Sequence, residues 1–193
     1  EPLQPLPSHL AVDVKKAALG EKLFNDKRLS ADSTLACSGC HLYEKAGTDN
    51  SRFSEGIRKQ FGDINAPTMF NAVFNVRQFW DGRAADLQEQ AGGPPLNPIE
   101  MGCSGWEEII ARLSADEALT AEAGTIYADG WTVQNITDAI AEYEKTLITP
   151  NSRFDKWLSG DDAAITAEEA EGYRLFKQYR CASCHVGDRK SVV

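Results

Sequence analysis

Four of the five cysteines and two of the three histidines fall in two copies of one pattern, Cys37-Ser38-Gly39-Cys40-His41 and Cys181-Ala182-Ser183-Cys184-His185. Two thiols three residues apart on a helical turn can add to the two vinyl groups of one porphyrin. The histidine beside the second thiol can then meet the iron as proximal ligand. The spacing therefore predicts two covalently bound haem c groups, one on Cys37, Cys40 and His41 and one on Cys181, Cys184 and His185. Other thiol chemistry explains less. A zinc site would have to join pairs separated by 140 residues, whereas zinc ribbons separate theirs by about 15–20, and it would leave a histidine after each pair without a role. A thioredoxin-like redox pair expects a βαβ setting that is lacking here. A disulfide within each motif explains neither the duplication nor the histidines. Cys103 stands apart and is read as a buried small residue, a reactive thiol or half of an intermolecular bridge, burial being the commonest fate. His9, in a proline-rich tail, is read as a solvated residue rather than a ligand.

The rest of the composition restricts partners. The 193 residues are 42% apolar and 25% charged, enough for a substantial core. The net charge of −9, from 20 basic against 29 acidic residues, argues against a nucleic-acid surface. No apolar run approaches the eighteen or so residues of a membrane span, and the start, Glu1-Pro2-Leu3-Gln4-Pro5, has neither the basic nor the apolar segment of a signal peptide. Covalent haem attachment normally requires export, so the expectation is a periplasmic protein whose signal has been removed.

The elements that must hold the motifs read as all-α. Residues 12–25 place Val12, Leu19, Leu23 and Phe24 among small and charged residues, an amphipathic helix before the first motif. Residues 47–79 lack periodicity and read as a long ordered loop able to wall a haem. A short helix is expected over 84–90, ended by Gly92-Gly93-Pro94-Pro95. Ser104 and Glu107 suggest a capping box for a helix through Leu113. Residues 132–147 carry Val133, Ile136, Ile140, Tyr143 and Leu147 on one face, with Pro150 as the stop. After a linker over 151–162, Thr166 and Glu169 suggest another capping box, for a helix running through Phe176. The two pre-motif helices echo each other, Leu19-Gly20-Glu21-Lys22-Leu23-Phe24 against Gly172-Tyr173-Arg174-Leu175-Phe176-Lys177. The echo implies two cytochrome c-like haem domains, 1–150 and 151–193. Only eight residues follow His185, too few to cover a porphyrin, so the second domain is expected to be incomplete in this chain.

From the helix before Cys37 onward the sequence closely resembles the bacterial dihaem cytochrome c peroxidases. The resemblance lies in Cys37 to His41, Asn65-Ala66-Pro67-Thr68-Met69-Phe70-Asn71, Gln78-Phe79-Trp80-Asp81-Gly82-Arg83-Ala84, Glu89-Gln90-Ala91, Asn97-Pro98-Ile99-Glu100-Met101, Phe154-Asp155-Lys156-Trp157-Leu158 and Cys181 to His185. It implies a periplasmic enzyme that reduces hydrogen peroxide to water with electrons from a small cytochrome c or blue-copper protein, often as a homodimer. It also implies that His41 ligates the catalytic, low-potential iron and His185 the electron-entry, high-potential iron. Trp80 would lie between the haems, or simply pack in a core. Glu100 matches the catalytic glutamate that moves a proton between the peroxide oxygens, and burial would raise its pKa towards the working range. Gln90 matches a distal-pocket amide. Asn65 matches a side-chain ligand of an interdomain calcium, with a plain turn role before Ala66-Pro67 as the alternative.

One departure stands out. The family usually has a distal histidine on the catalytic iron in the oxidised state, near the position of Ser54-Glu55-Gly56 here, and no histidine lies between His41 and His185. The expectation is a first haem that is five-coordinate, water-bound or weakly held by Glu55. Met69 and Met101 are the other conceivable donors, with packing as their ordinary role. Two further functions stay open beside the peroxidase: a dihaem electron carrier without substrate chemistry, and a related oxidase acting on protein side chains.

Overall fold

The computed structural model describes residues 3–185, and these are almost wholly helix and loop. Eight α-helices follow in order: α1 Val14–Phe24, α2 Cys37–Cys40, α3 Leu87–Ala91, α4 Trp106–Ser114, α5 Glu117–Ile126, α6 Val133–Glu144, α7 Arg153–Leu158 and α8 Ala167–Gln178. Pairing of extended chain among the described residues is confined to isolated antiparallel bridges such as Leu42 with Thr48, Glu55 with Phe61 and Gln78 with Ala84. Among the described residues no helix is long and apolar enough to cross a membrane.

The core forms where α1 lies across α6. Leu19, Leu23 and Phe24 from α1 meet Ile136, Ala139, Ile140 and Tyr143 from α6, and Ile109, Leu113, Leu119 and Ala123 of α4 and α5 close the cluster. The approach is unusually close at Gly20, where an added Cβ would lie 1.8 Å from the Ala139 carbonyl oxygen and 2.9 Å from the Tyr143 Cβ. Polar ties hold the same crossing. The Asp13 side chain caps α1 through the amides of Lys15 and Lys16, while the Asp13 amide donates to Glu142 Oε2 at 2.8 Å. Lys16 pairs with Asp138 at 2.7 Å, and the same carboxylate accepts from Tyr127 Oη at 2.8 Å.

The 47–79 stretch is the expected irregular loop, and it is pinned rather than slack. Thr68 Oγ1 donates to the Ala46 carbonyl at 2.7 Å and the Ala66 amide to Ser54 Oγ at 3.0 Å. Asn71 reaches the segment after α6, donating to Thr149 Oγ1 and accepting from the Thr149 amide, while its own amide donates to the Leu147 carbonyl.

Four local expectations need correction. Pro150 is not what stops α6, which ends at Glu144 and passes through a turn into the strip at Leu147 and Thr149 that Asn71 holds. The 151–162 linker contains α7, started by a capping box between Ser152 and Asp155. The box expected from Ser104 and Glu107 is absent: the N-cap of α4 is Gly105, and the Ser104 amide and hydroxyl both donate instead to Glu108, one residue further along. Helix α5 was not foreseen, because Gly124 and two threonines dilute its apolar period. The Thr166–Glu169 box is present at the start of α8.

Beyond α6 a small aromatic group takes over. Phe154 and Trp157 of α7 stack at 5.7 Å, and Tyr173 of α8 meets both edge-on at 5.2 and 5.4 Å. The N-terminal tail is tied here as well, through the Leu6 amide and Asp155 Oδ1 at 2.9 Å.

Gly20→Ala tests the helix crossing. Intrinsic propensity favours Ala over Gly by about 1 kcal/mol, but the new methyl meets backbone that cannot swing away, and overpacking of that kind costs about 3 kcal/mol. The expected net is a loss of about 2 kcal/mol or more in denaturant unfolding; unchanged or greater stability would show that the two helices can part without cost.

Candidate functional site

The first Cys-His motif is presented by a single turn of helix that has no side-chain cap of its own. The turn is set up by the chain before it. Ser30 Oγ donates to the Lys27 carbonyl and accepts from the Leu35 amide, and Asp32 accepts from the amide and hydroxyl of Thr34. Within α2 the His41 amide donates to the Cys37 carbonyl at 3.0 Å, so both thiols and the histidine belong to one turn. The Phe24 ring lies beside the His41 ring, with centroids 6.3 Å apart.

His41 is oriented by backbone. Its Nδ1 lies 3.2 Å from the Gly47 carbonyl oxygen, the geometry of an N–H donor, which leaves Nε2 for an iron. Burial lowers its pKa, opposed by hydrogen bonding to the carbonyls of Gly47 and Pro67. Gly47 has φ +77, and a Cβ there would press within 3.0 Å of Thr68, Met69 and Phe70, so this carbonyl is placed by a residue that has to be glycine.

The thiols are half-buried. Burial, with the Glu144 charge next, pushes Cys37 up to about 12, and burial, with Asp49 next, pushes Cys40 up to about 11. Both are therefore neutral thiols near neutral pH. Among the described residues no group of three or more His, Cys, Asp and Glu is placed to hold a metal ion, so the zinc alternative finds no support. One turn that carries both thiols and a histidine oriented through Nδ1 fits a covalently attached haem.

Glu100 enters from a different part of the chain. After a 3-10 turn at Pro94–Leu96, the Asn97 carbonyl accepts from the amides of Glu100, Met101 and Gly102. The segment packs backbone to backbone on the 56–60 loop: the Ile57 amide donates to the Glu100 carbonyl at 2.8 Å, and a Cβ on Gly56 would lie 2.0 Å from the Ile99 carbonyl oxygen. Burial raises the Glu100 pKa, while the Arg83 charge and a 2.7 Å hydrogen bond from Asn97 Nδ2 to Oε1 work against it. The loop that holds the Glu100 backbone also reaches the first motif, where Cys40 Sγ lies 3.9 Å from the Glu55 carbonyl, and the Glu100 charge adds to burial in raising both thiols.

The remaining expected residues are spread more widely. Trp80 is 61% exposed and donates its indole N–H to the Asn65 carbonyl at 3.1 Å, so these two meet each other at the surface. Gln90 sits partly buried on α3, which packs on α6. Glu55 is exposed on a loop whose backbone carbonyl, rather than its carboxylate, approaches Cys40 Sγ at 3.9 Å. Met69, Met101 and Cys103 are core residues, Cys103 donating to the Leu29 carbonyl and accepting from Arg112, and His9 is exposed beside Ser8. The second motif follows α8 as a short turn, Cys181–Ser183, with the His185 amide on the Cys181 carbonyl at 2.9 Å and the Phe176 and His185 rings 6.5 Å apart. The sequence echo thus has a physical content: in each copy the helix-borne phenylalanine lies against the motif histidine.

Three contributors were not singled out by sequence. Gly47 and Asn97 act through backbone geometry and one amide, which leave no periodic signal. Glu144 did leave one, an acid four residues after the core residue Ile140. Its side chain is buried and Oε2 has no hydrogen-bond partner, so burial pushes its pKa up to about 8.

A family model described as di-haem cytochrome c peroxidase matches residues 14–163. The cytochrome c peroxidase Ccp of Escherichia coli K12 is 57% identical over 97% of the chain and 40% of that protein. The cytochrome c551 peroxidase of Nitrosomonas europaea is 45% identical over 97% of the chain and 56% of its own length. The chain therefore spans about half the length of the curated relatives it matches. Among solved structures, a MauG-like protein associated with microbial copper homeostasis superposes with a TM-score of 0.77 at 31% identity, over 91% of this chain and 52% of that one. The diheme peroxidase BthA of Burkholderia thailandensis gives 0.78 at 24% identity, over 91% and 50%, a likeness of fold.

The buried Glu144 carboxyl has a measurable consequence. Its folded-state pKa of about 8 exceeds the ordinary 4.5, so the folded protein holds the extra proton between those values. The stability this confers is complete below about pH 4.5 and is lost as pH rises through about 8, by roughly 5 kcal/mol at most. Glu144→Gln cannot ionise and should flatten that slope in denaturant unfolding followed across this pH range; an unaltered slope would show that the carboxyl finds a partner in solution.

Proposed function

The chain belongs to the di-haem cytochrome c peroxidase family, and we propose that it reduces hydrogen peroxide to water at a site built on Cys37, Cys40, His41 and Glu100. The observation that carries this reading is the half-buried Glu100 carboxyl, fixed through one oxygen by Asn97 on a segment hydrogen-bonded to the loop that meets Cys40. Haem, when bound, supplies the iron at which peroxide is held and through which electrons arrive.

The chain's own residues do the rest. Cys37 and Cys40 anchor the group, and His41 offers Nε2 because Gly47 engages Nδ1. Glu100 Oε1 is occupied by Asn97, so Oε2 is the oxygen that takes a proton from one peroxide oxygen and returns it to the other. Burial favours both halves of that cycle, since a carboxyl raised towards the working pH accepts and releases a proton with little bias either way. Cys181, Cys184 and His185 hold the second haem, at which electrons from a small cytochrome c or blue-copper donor enter.

In this reading residues 1–150 form the peroxide-reacting domain and 151–193 belong to the electron-entry domain, in keeping with the separate aromatic group of α7 and α8. Trp80 lies between the two haems and Gln90 belongs to the distal pocket. Asn65 supplies one oxygen to an interdomain calcium, which takes about six to eight. The protein works in the periplasm. With no histidine between His41 and His185, a haem held by His41 would be five-coordinate or would take water or Glu55 as its second ligand.

Two measurements test this. Glu100→Gln in the haem-loaded protein should lower peroxide-dependent oxidation of a reduced small cytochrome by about 10²–10⁴-fold, and near-full activity would remove Glu100 from its role. Electron paramagnetic resonance of the oxidised protein should show the first haem high-spin, and a low-spin bis-histidine signal from it would refute the assigned distal side.

A further inference from the structure

Phe24, the last residue of α1, touches three rings at once: His41 at 6.3 Å, Tyr143 at 5.4 Å and Tyr43 at 6.4 Å between centroids. The two phenols share a hydrogen bond of 2.5 Å between their oxygens. Tyr143 is 7% exposed and Tyr43 is 38% exposed. An unbroken set of rings thus leads from the histidine of the first motif, through the core, to a phenol pair whose outer member faces water.

Packing accounts for the rings but not for the hydroxyls. Phenylalanine at 143 would fill the core equally well, whereas a buried phenol has to find a hydrogen-bond partner, and here it finds one in a residue that reaches solvent. The pair couples two groups that can each lose an electron, with a hydrogen bond along which the attendant proton can move.

We propose that Tyr143 and Tyr43 form an outlet that carries oxidising equivalents from the first haem site to the surface when peroxide arrives without an electron donor. The proposal rests on the peroxidase reading. Reduction of hydrogen peroxide to two waters takes two electrons, and without a donor they come from the enzyme itself: the outlet supplies one, and the haem site keeps the other oxidising equivalent. In the proposed step one electron passes from Tyr43, by way of Tyr143 and the Phe24 contact, to the peroxide-oxidised haem. The Tyr43 phenolic proton passes to water and Tyr143 is oxidised only in transit. What remains is a neutral phenoxyl radical on Tyr43, one proton in solvent and a haem restored by one electron. An external one-electron reductant such as a thiol then returns Tyr43 to the phenol.

The test treats the oxidised, haem-loaded protein with peroxide in the absence of donor, with a radical trap present, and maps the adduct by peptide mass while following haem bleaching. Donor-coupled peroxide turnover is measured on the same preparations. The expected result is an adduct on Tyr43 that is lost in Tyr43→Phe and severalfold weaker in Tyr143→Phe. Both variants should bleach severalfold faster per peroxide with donor-coupled turnover unchanged, and Tyr179→Phe, at an exposed tyrosine on the turn after α8, should behave as the parent protein does. Normal turnover with no adduct on Tyr43, or Tyr43→Phe bleaching no faster than the parent, would overturn the outlet while leaving the peroxidase intact. Absence of donor-coupled turnover in the parent protein would overturn the peroxidase reading and the outlet with it.

Discussion

The contact between Gly20 and the Ala139 carbonyl sets how near α1 and α6 can come, and most of the site's geometry descends from that distance. A side chain at position 20 would hold the helices apart. Without one, Phe24 is carried onto the motif histidine and Tyr143 onto Phe24, while Leu19 and Leu23 are sealed from water. The motif turn α2 has no side-chain cap and little internal hydrogen bonding to hold it. Its position is inherited from the helix pair and from the knotted chain between Ser30 and Leu35.

Desolvation gives this interior its chemical character. Glu100 and Glu144 are both raised by burial, the first with Arg83 and Asn97 opposing the rise and the second with nothing opposing it. The same burial keeps the two thiols protonated. Burial that disfavours charge at each of these four groups lowers the dielectric they feel. Glu100 and Glu144 thus differ in kind: one is held in place by Asn97, the other is left unpaired.

Much of this was legible in the residues. The two Cys-His motifs stand out by type and spacing, α1 and α6 by their apolar stripes, and α8 by its capping box. Glu100 was legible only through its motif, since an acid on a loop carries no periodic signal. What could not be read were contacts without a periodic signal: Asn71 holding the strip after α6, Gly56 against Ile99, and the Gly47 carbonyl at His41. The Ser104 misreading is of another sort, because the same residues bond one position out of register, with Glu108 in place of Glu107. Helix α7 lay inside a stretch whose Gly, Asp and Ser content read as linker, and the Ser152–Asp155 box that starts it is too short a signal to outweigh that composition.

The Gly47 carbonyl has one more implication. Where a peroxidase backs its proximal ring with a carboxylate, the ring is drawn towards imidazolate and pushes electron density onto the metal. An amide oxygen draws on the ring proton far less, so any metal that His41 came to hold would meet a neutral imidazole, a weaker electron donor than a ring backed by a carboxylate. A residue with no side chain at all decides that difference, because only glycine brings this carbonyl to Nδ1.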